Sequence, residues 1–277
     1  MSRESVKANA KQLARDAESH PGFEVVARAG YVANGIIHAL IGIIVLVIAS
    51  GGRAEGDQAG AMKAVAGAPA GFVLLWLIAI GLFALGVWHA AEGLLAHDRS
   101  GDAKGAARKW GRRFAEWGQA LVFVVLGLIS AAIAIGARPD AEQTTEDASA
   151  SLLQVPGGPI LLALIGVGIG IGGVTFVVMG VRRSFRSRIE TPDGALGRGV
   201  VVLGVVGFVA KGVALTIIGV LLVVAAIDDD ADTAGGLDGA VDALLNLPLG
   251  PVLAWVVGLG FLAYAVFTVA RARFARM

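Results

Sequence analysis

Three times along this chain a basic stretch leads into a long apolar run, then an acidic, Gly-rich loop, then a second apolar run. No other feature constrains the fold as strongly, because this order sets class, topology and symmetry together. The apolar blocks fall at roughly 25–49, 71–95, 115–136, 158–181, 199–227 and 250–270. Each is long enough to cross about 30 Å of hydrocarbon as a helix. A soluble chain carries about 25% charged residues, whereas this one carries 16%. Membrane barrel strands are short and alternate apolar with polar residues, so the long runs exclude a barrel. Cysteine is absent, which removes disulfides, thiolate nucleophiles, Cys-ligated zinc and iron–sulfur clusters.

Charge distribution sets the expected orientation. Five Lys or Arg lie in the arm through Arg28, six in the 96–114 linker, five in the 182–198 linker and three at the C-terminal end, out of 23. The other loops hold only Arg53, Lys63 and Arg138, and Lys211 lies inside a span. Because cytoplasmic loops are enriched in Lys and Arg, both termini and both basic linkers are expected in the cytoplasm. The acidic runs 140–147 and 228–232 then face outward. Residues 1–22 are too polar for a secretory signal. Val6, Ala10, Leu13 and Ala17 instead predict a weakly amphipathic helix that ends before Pro21 and rests on anionic lipid or in water.

Internal repetition is visible at residue level. The segment 30–42 (GYVANGIIHALIG) recurs without a gap as 207–219 (GFVAKGVALTIIG), and the more diverged 119–127 fits the same register. Asn34, Gln119 and Lys211 become equivalent, as do Gly42, Gly127 and Gly219. The even spans open with Pro69, Pro156 and Pro248, each followed two residues later by Gly71, Gly158 and Gly250. Before each Pro a short segment (61–68, 149–155, 237–247) reads as an outer helix lying along the interface and stopping near the proline. Three repeats of two spans share one orientation, unlike the inverted repeats of many secondary transporters.

The expectation is an all-α integral membrane protein: six transmembrane helices as three parallel two-helix repeats around a pseudo-threefold axis, N and C termini cytoplasmic. The parts are an N-terminal arm (1–23), repeat 1 (24–98), a basic linker (99–107), repeat 2 (108–186), a second linker (187–195) and repeat 3 (196–277). The GYVANG, EWGQA and GFVAKG helices, the proline re-entries and the basic linkers resemble the domain of unknown function 1206 family. Its members carry tandem two-helix membrane repeats and are common in actinobacteria. The resemblance covers about residues 24–276. It implies six helices and the plasma membrane of a bacterium, and it supplies no activity and no catalytic residue.

Lys211 is the residue that most invites a functional reading. It sits about a dozen residues into the fifth span, and a buried lysine is costly unless it snorkels, pairs or meets water. Glu92 is the carboxylate expected to pair with it, and His89 lies three residues before Glu92 on the same helical face. Asn34 shares the depth of Lys211, and His38 lies one turn further out. Glu116 and Gln119 start the third span. All seven fall in the cytoplasmic half, and the odd spans are expected to bring Lys211, Asn34 and Gln119 together at the axis. The plain alternative is that each hydrogen-bonds a neighbouring helix or that Lys211 snorkels. His38 and His89 differ in depth and their repeat equivalents are not His, which argues against paired haem ligation. The run 168–173 (GIGIGG) lacks the strand–turn–helix setting of a dinucleotide site; Gly168 and Gly172 are expected to let helices approach closely. Asp228–Asp232 lacks the Gly and Glu of an EF-hand loop.

No Ser–His–Asp, HExxH, Walker or kinase-like pattern appears. The sequence therefore predicts a protein that is not an enzyme and uses no cofactor or metal. The expected role is structural, accessory, or lipid- or partner-binding, with membrane lipids or a membrane protein as partners and no nucleic acid. A small-solute or ion pathway through the polar cluster is the competing expectation.

Overall fold

A computed structural model describes residues 21–52, 56–95 and 103–274. The arm carrying Val6, Ala10, Leu13 and Ala17 lies outside them. The elements, in order, are α1 (Pro21–Ala49), α2 (Gln58–Ala66), α3 (Gly71–Leu95), α4 (Ala103–Ala134), α5 (Ala141–Leu153), α6 (Gly158–Arg182), a 3-10 turn (Ser184–Arg188), α7 (Gly194–Asp228), a second 3-10 turn (Ala231–Thr233), α8 (Gly236–Leu245) and α9 (Gly250–Phe274). Among the described residues, α1, α3, α4, α6, α7 and α9 are long and apolar enough to span a membrane. Their outward surfaces carry exposed Val, Leu and Ile throughout, the face a lipid-embedded helix requires.

Each re-entry is built the same way, and the sequence motif has a steric cause. The outer helices end at Gly67, Gln154 and Asn246, short of the prolines. The residue after each proline is left-handed: Ala70 at φ 61°, Gly157 at 80° and Leu249 at 65°. The following Gly71, Gly158 and Gly250 then start the even spans. A methyl group on any of them would overlap the carbonyl oxygen of Val65, Leu152 or Leu245, respectively. Only glycine lets the chain turn back this tightly.

The outer helices do more than lie along an interface. Ala61 and Met62 of α2 are fully buried, and Leu237, Val241 and Leu244 of α8 join the same central core. α2 and α8 therefore plug the acidic end of the bundle. α5 is different: it is mostly exposed.

The six spans pack in the order α6, α7, α9, α1, α3, α4. Contacts between repeats repeat themselves. A methyl at Gly35 would lie 3.1 Å from the Ala265 carbonyl oxygen, one at Gly86 would lie 3.3 Å from that of Ala120, and one at Gly173 would lie 2.7 Å from that of Gly212. These three pairs are equivalent in the repeat alignment. One heptad further, Gly42 meets Gly258 and Gly219 meets Gly166. Small residues at this spacing let helix backbones approach closely in lipid.

Contacts within repeats do not all repeat. In repeat 1, α1 packs on α3; in repeat 3, α7 packs on α9; in repeat 2, α4 and α6 share no packed interface. The ring of six helices is thus interrupted at one seam. Gly168, Gly170 and Gly172 have nothing within 4 Å of where a methyl group would sit. The expected close approach at Gly168 and Gly172 is therefore replaced by one at Gly166, Gly173 and Gly180, which face α7.

Candidate functional site

Lys211 sits on the α7 face opposite the exposed stripe of Val206, Val213 and Val220, so it points into the bundle. Its ammonium donates to His38 Nε2 at 3.1 Å. The other ring nitrogen, Nδ1, lies 2.8 Å from the Asn34 carbonyl oxygen. That bond assigns the proton to Nδ1 and leaves Nε2 as the acceptor that Lys211 needs. Around the ammonium stand two aromatic faces, Tyr264 at 4.7 Å and Phe176 at 5.6 Å. The His38 ring itself packs on Tyr264 with centroids 4.8 Å apart. An unshared charge in hydrocarbon is thus offset by one neutral acceptor and two ring quadrupoles. No carboxylate lies within ion-pair distance of it among the described residues.

Two apolar layers bound this charge. Toward the acidic face stand Ile41, with no exposed surface, together with Ile37 and Val45. Toward the basic face lies an aromatic cluster in which Phe185 stacks on Phe208 at 5.2 Å and meets Phe267 edge-on at 5.1 Å. His38 is buried, but Lys211 is only half-buried.

The other polar residues do not join it. Glu92, expected as the partner of Lys211, instead receives Arg112 at the basic surface. His89 and Glu116 form a separate, buried pair joining α3 to α4, Nδ1 to Oε2 at 2.7 Å, with His89 stacked on Phe123 at 5.3 Å. Gln119 is half-buried on the α4 face it shares with Phe123, Leu126 and Ile133, which border the central core. The structure therefore divides the seven sequence candidates. Lys211 meets His38, to which Asn34 contributes its backbone carbonyl; His89 and Glu116 meet elsewhere; Glu92 is at the surface; Gln119 is half-buried on α4. The reason is the packing order. α3, which carries His89 and Glu92, lies beyond α1 as seen from α7, so its carboxylate cannot reach Lys211.

Sequence reasoning missed the aromatic cage. Its signal was present: the alignment equates Phe176 with His89 and Tyr264 with Leu85, which marks both as interior-facing positions. It also missed a cleft at the basic end of α6, lined by Arg182, Arg183, Arg186, Ser184 and Ser187. Arg183 is held left-handed at φ 55°, where it caps α6 and turns the chain into the 3-10 segment. No group of three or more His, Cys, Asp or Glu able to hold a metal occurs among the described residues.

Comparison with known proteins agrees with the repeat boundaries. The family model described as Domain of Unknown Function (DUF1206) matches three times, at residues 29–96, 117–183 and 206–275. An uncharacterized protein of Bacillus subtilis, YxxB, is 25% identical over 264 residues, covering 94% of each chain. No solved structure matches. With three copies of the repeat, six apolar spans and the same Pro-x-Gly re-entry in each, this membrane protein belongs to the DUF1206 family.

Proposed function

We propose that this chain is a non-conducting, non-enzymatic plasma-membrane protein that binds lipid, with both termini in the cytoplasm. One observation carries the reading. Lys211, a cation set well inside a span, is held in the bundle interior between an apolar core on one side and an aromatic cluster on the other. A conduit needs polar lining along its length, and both layers here are dry. The Arg-lined cleft at the end of α6 supports the same reading, because basic clusters at the bilayer surface attract anionic headgroups. Its position on the basic face matches the orientation that the Lys and Arg distribution favours.

The test is flux across vesicles. Protein reconstituted into liposomes should leave ion and small-solute leakage at the level of protein-free vesicles, and Lys211→Met should change nothing. Flux above that level, lost in Lys211→Met while the protein stays folded, would replace this reading with a solute pathway.

A further inference from the structure

Resting on the lipid-binding reading, we propose that the open seam between α4 and α6 is a lateral doorway through which a single-chain anionic amphiphile, a long-chain carboxylate, reaches Lys211.

The repeat alignment shows why this seam is open. In repeat 1, the Leu85 side chain packs over Gly30, with a methyl there lying 2.6 Å from Leu85 Cγ; in repeat 3, Tyr264 presses on Gly207 with its backbone and Cβ, a methyl there lying 2.5 Å from its Cα and 2.7 Å from its Cβ. In the repeat alignment the equivalent of Leu85 and Tyr264 in repeat 2 is Gly172, and that of Gly30 and Gly207 is Ala115. The knob is missing. The small residues that would allow close approach are still present: Gly168 is the counterpart of Gly81 and Gly260, and Gly118 that of Ala33 and Ala210. Neither Gly118 nor Gly168 has an atom within 4 Å of a methyl placed on it. In lipid, helices associate by van der Waals packing and not by hydrophobic exclusion. A seam without its knob has nothing to hold it shut.

What the doorway leads to defines the ligand. Gly168, Gly172 and Phe176 recur every four residues on one face of α6, and Phe176 is one of the two rings against the Lys211 ammonium. Gln119 is half-buried on α4. The far end of the doorway is therefore a half-buried cation with no carboxylate in ion-pair reach among the described residues. The walls toward the lipid are apolar: Val122 and Val125 on α4, Ile165 on α6. A carboxylate fits the inner end through charge and its alkyl chain fits the gap. The single missing knob leaves a slot one side chain deep, which suits one chain better than two.

A palmitic acid carrying a photoreactive diazirine is the probe, added to the full chain in detergent micelles, with the modified residues mapped by mass spectrometry. The expected result is labelling around Gly118–Val122 and Gly168–Gly172, competed by oleate and not by oleyl alcohol. Lys211→Met should weaken competition by oleate about tenfold, the loss of one close charge contact. Gly172→Phe keeps the lysine and fills the slot, so it should abolish the labelling even if Lys211→Met folds poorly. Equal competition by oleyl alcohol would overturn the proposal. So would labelling confined to the outward Val206, Val213 and Val220 stripe, or a protein that runs as a dimer on size exclusion with α4 and α6 protected from labelling, which would make a second copy the occupant. Failure in a protein that still passes no solute would end this proposal alone; Lys211-dependent flux would end the reading beneath it.

Discussion

Repeats 1 and 3 are closed and repeat 2 is open, although all three carry the same small residues where their two spans should meet. Gly81 meets Gly30 and Ala33, and a methyl on Gly260 would overlap Ala210, yet Gly168 and Gly118 meet nothing. Small residues permit close approach, and they do not compel it. The closed repeats add a larger residue opposite the glycine: Leu85 fills the hollow at Gly30 with its side chain, and Tyr264 presses its backbone and Cβ against Gly207. Permission and filling are separate requirements, and repeat 2 meets only the first. The open repeat is also the less buried one, with α4 and α6 showing the smallest buried shares of the six spans, 22% and 17%.

This contrast can be broken in several ways, and one of the two largest effects belongs to the anchor of α4. Since α4 does not lean on α6, its hold on α3 matters more, and His89–Glu116 sits in that interface. His89→Leu removes the imidazole that the buried Glu116 carboxylate bonds across the α3–α4 interface and should cost about 1–3 kcal/mol. Glu92→Gln, which removes only the surface partner of Arg112, should cost less than about 1 kcal/mol. Thermal unfolding of both in one detergent compares them directly; equal losses would mean that α4 is not anchored by the buried pair.

Next come equivalent glycines. Gly260→Leu forces a side chain into Ala210 and should destabilise by about 2–3 kcal/mol. Gly168→Leu, at the same repeat position, points into open space and should stay within about 0.5 kcal/mol of the parent. A matching loss at Gly168 would show that the middle seam is closed in the membrane.

A gentler change supplies the missing knob. Gly172→Leu should close the seam and raise stability by about 1 kcal/mol, helped by leucine's better helix propensity. The chain has no cysteine, so a Gly118→Cys, Gly168→Cys pair reports closure cleanly. It should cross-link slowly in the parent and faster with Gly172→Leu. Ala33→Cys with Gly81→Cys should cross-link readily in both.

The smallest effect is at the acidic face, where α5 of the open repeat docks loosely. Burial, then repulsion by Glu146, Asp242, Asp140 and Asp57, raises the Glu142 pKa above its ordinary 4.5. Burial, then Asp232 and further carboxylates, raises that of Glu146. A carboxyl whose pKa is higher folded than unfolded binds more protons when folded, so its contribution to stability falls as pH rises from 4.5 through the raised value. Unfolding midpoints should drift down across that window, and Glu142→Gln should remove part of the drift. A rise with pH would contradict it.

Much of this protein was legible in its sequence. The apolar blocks mark the spans to within a few residues at most boundaries; the start of α4 is the largest departure, because its spanning part begins at Lys109 and not near 115. The Pro-x-Gly motif marked the re-entries, and the turn explains it: a methyl at Gly158 would overlap the Leu152 carbonyl. The outer helices were read as starting and ending too late; α5 begins at Ala141 because Asp140 caps it by accepting from the Gln143 amide at 3.0 Å. The candidate site was legible in kind and not in pairing. Depth along a helix follows from residue number, and that placed Lys211 near Asn34 and His38. Which helix lies beside which does not follow from depth, and that assigned Glu92 to Lys211 when it belongs to Arg112.

The sequence by itself determined the membrane, the six spans, the threefold repetition and the polar residues in one half of the bundle. Each of these follows from transferring a segment from water to lipid, and that free energy is local and nearly additive along the chain. Only the tertiary structure decided the neighbours of Lys211, the division of the polar residues between two interfaces and the opening of one seam among three. Those depend on how knobs meet hollows between helices once inside lipid, where no hydrophobic force drives contact and a single residue, Gly172 in place of Leu85 or Tyr264, changes the outcome.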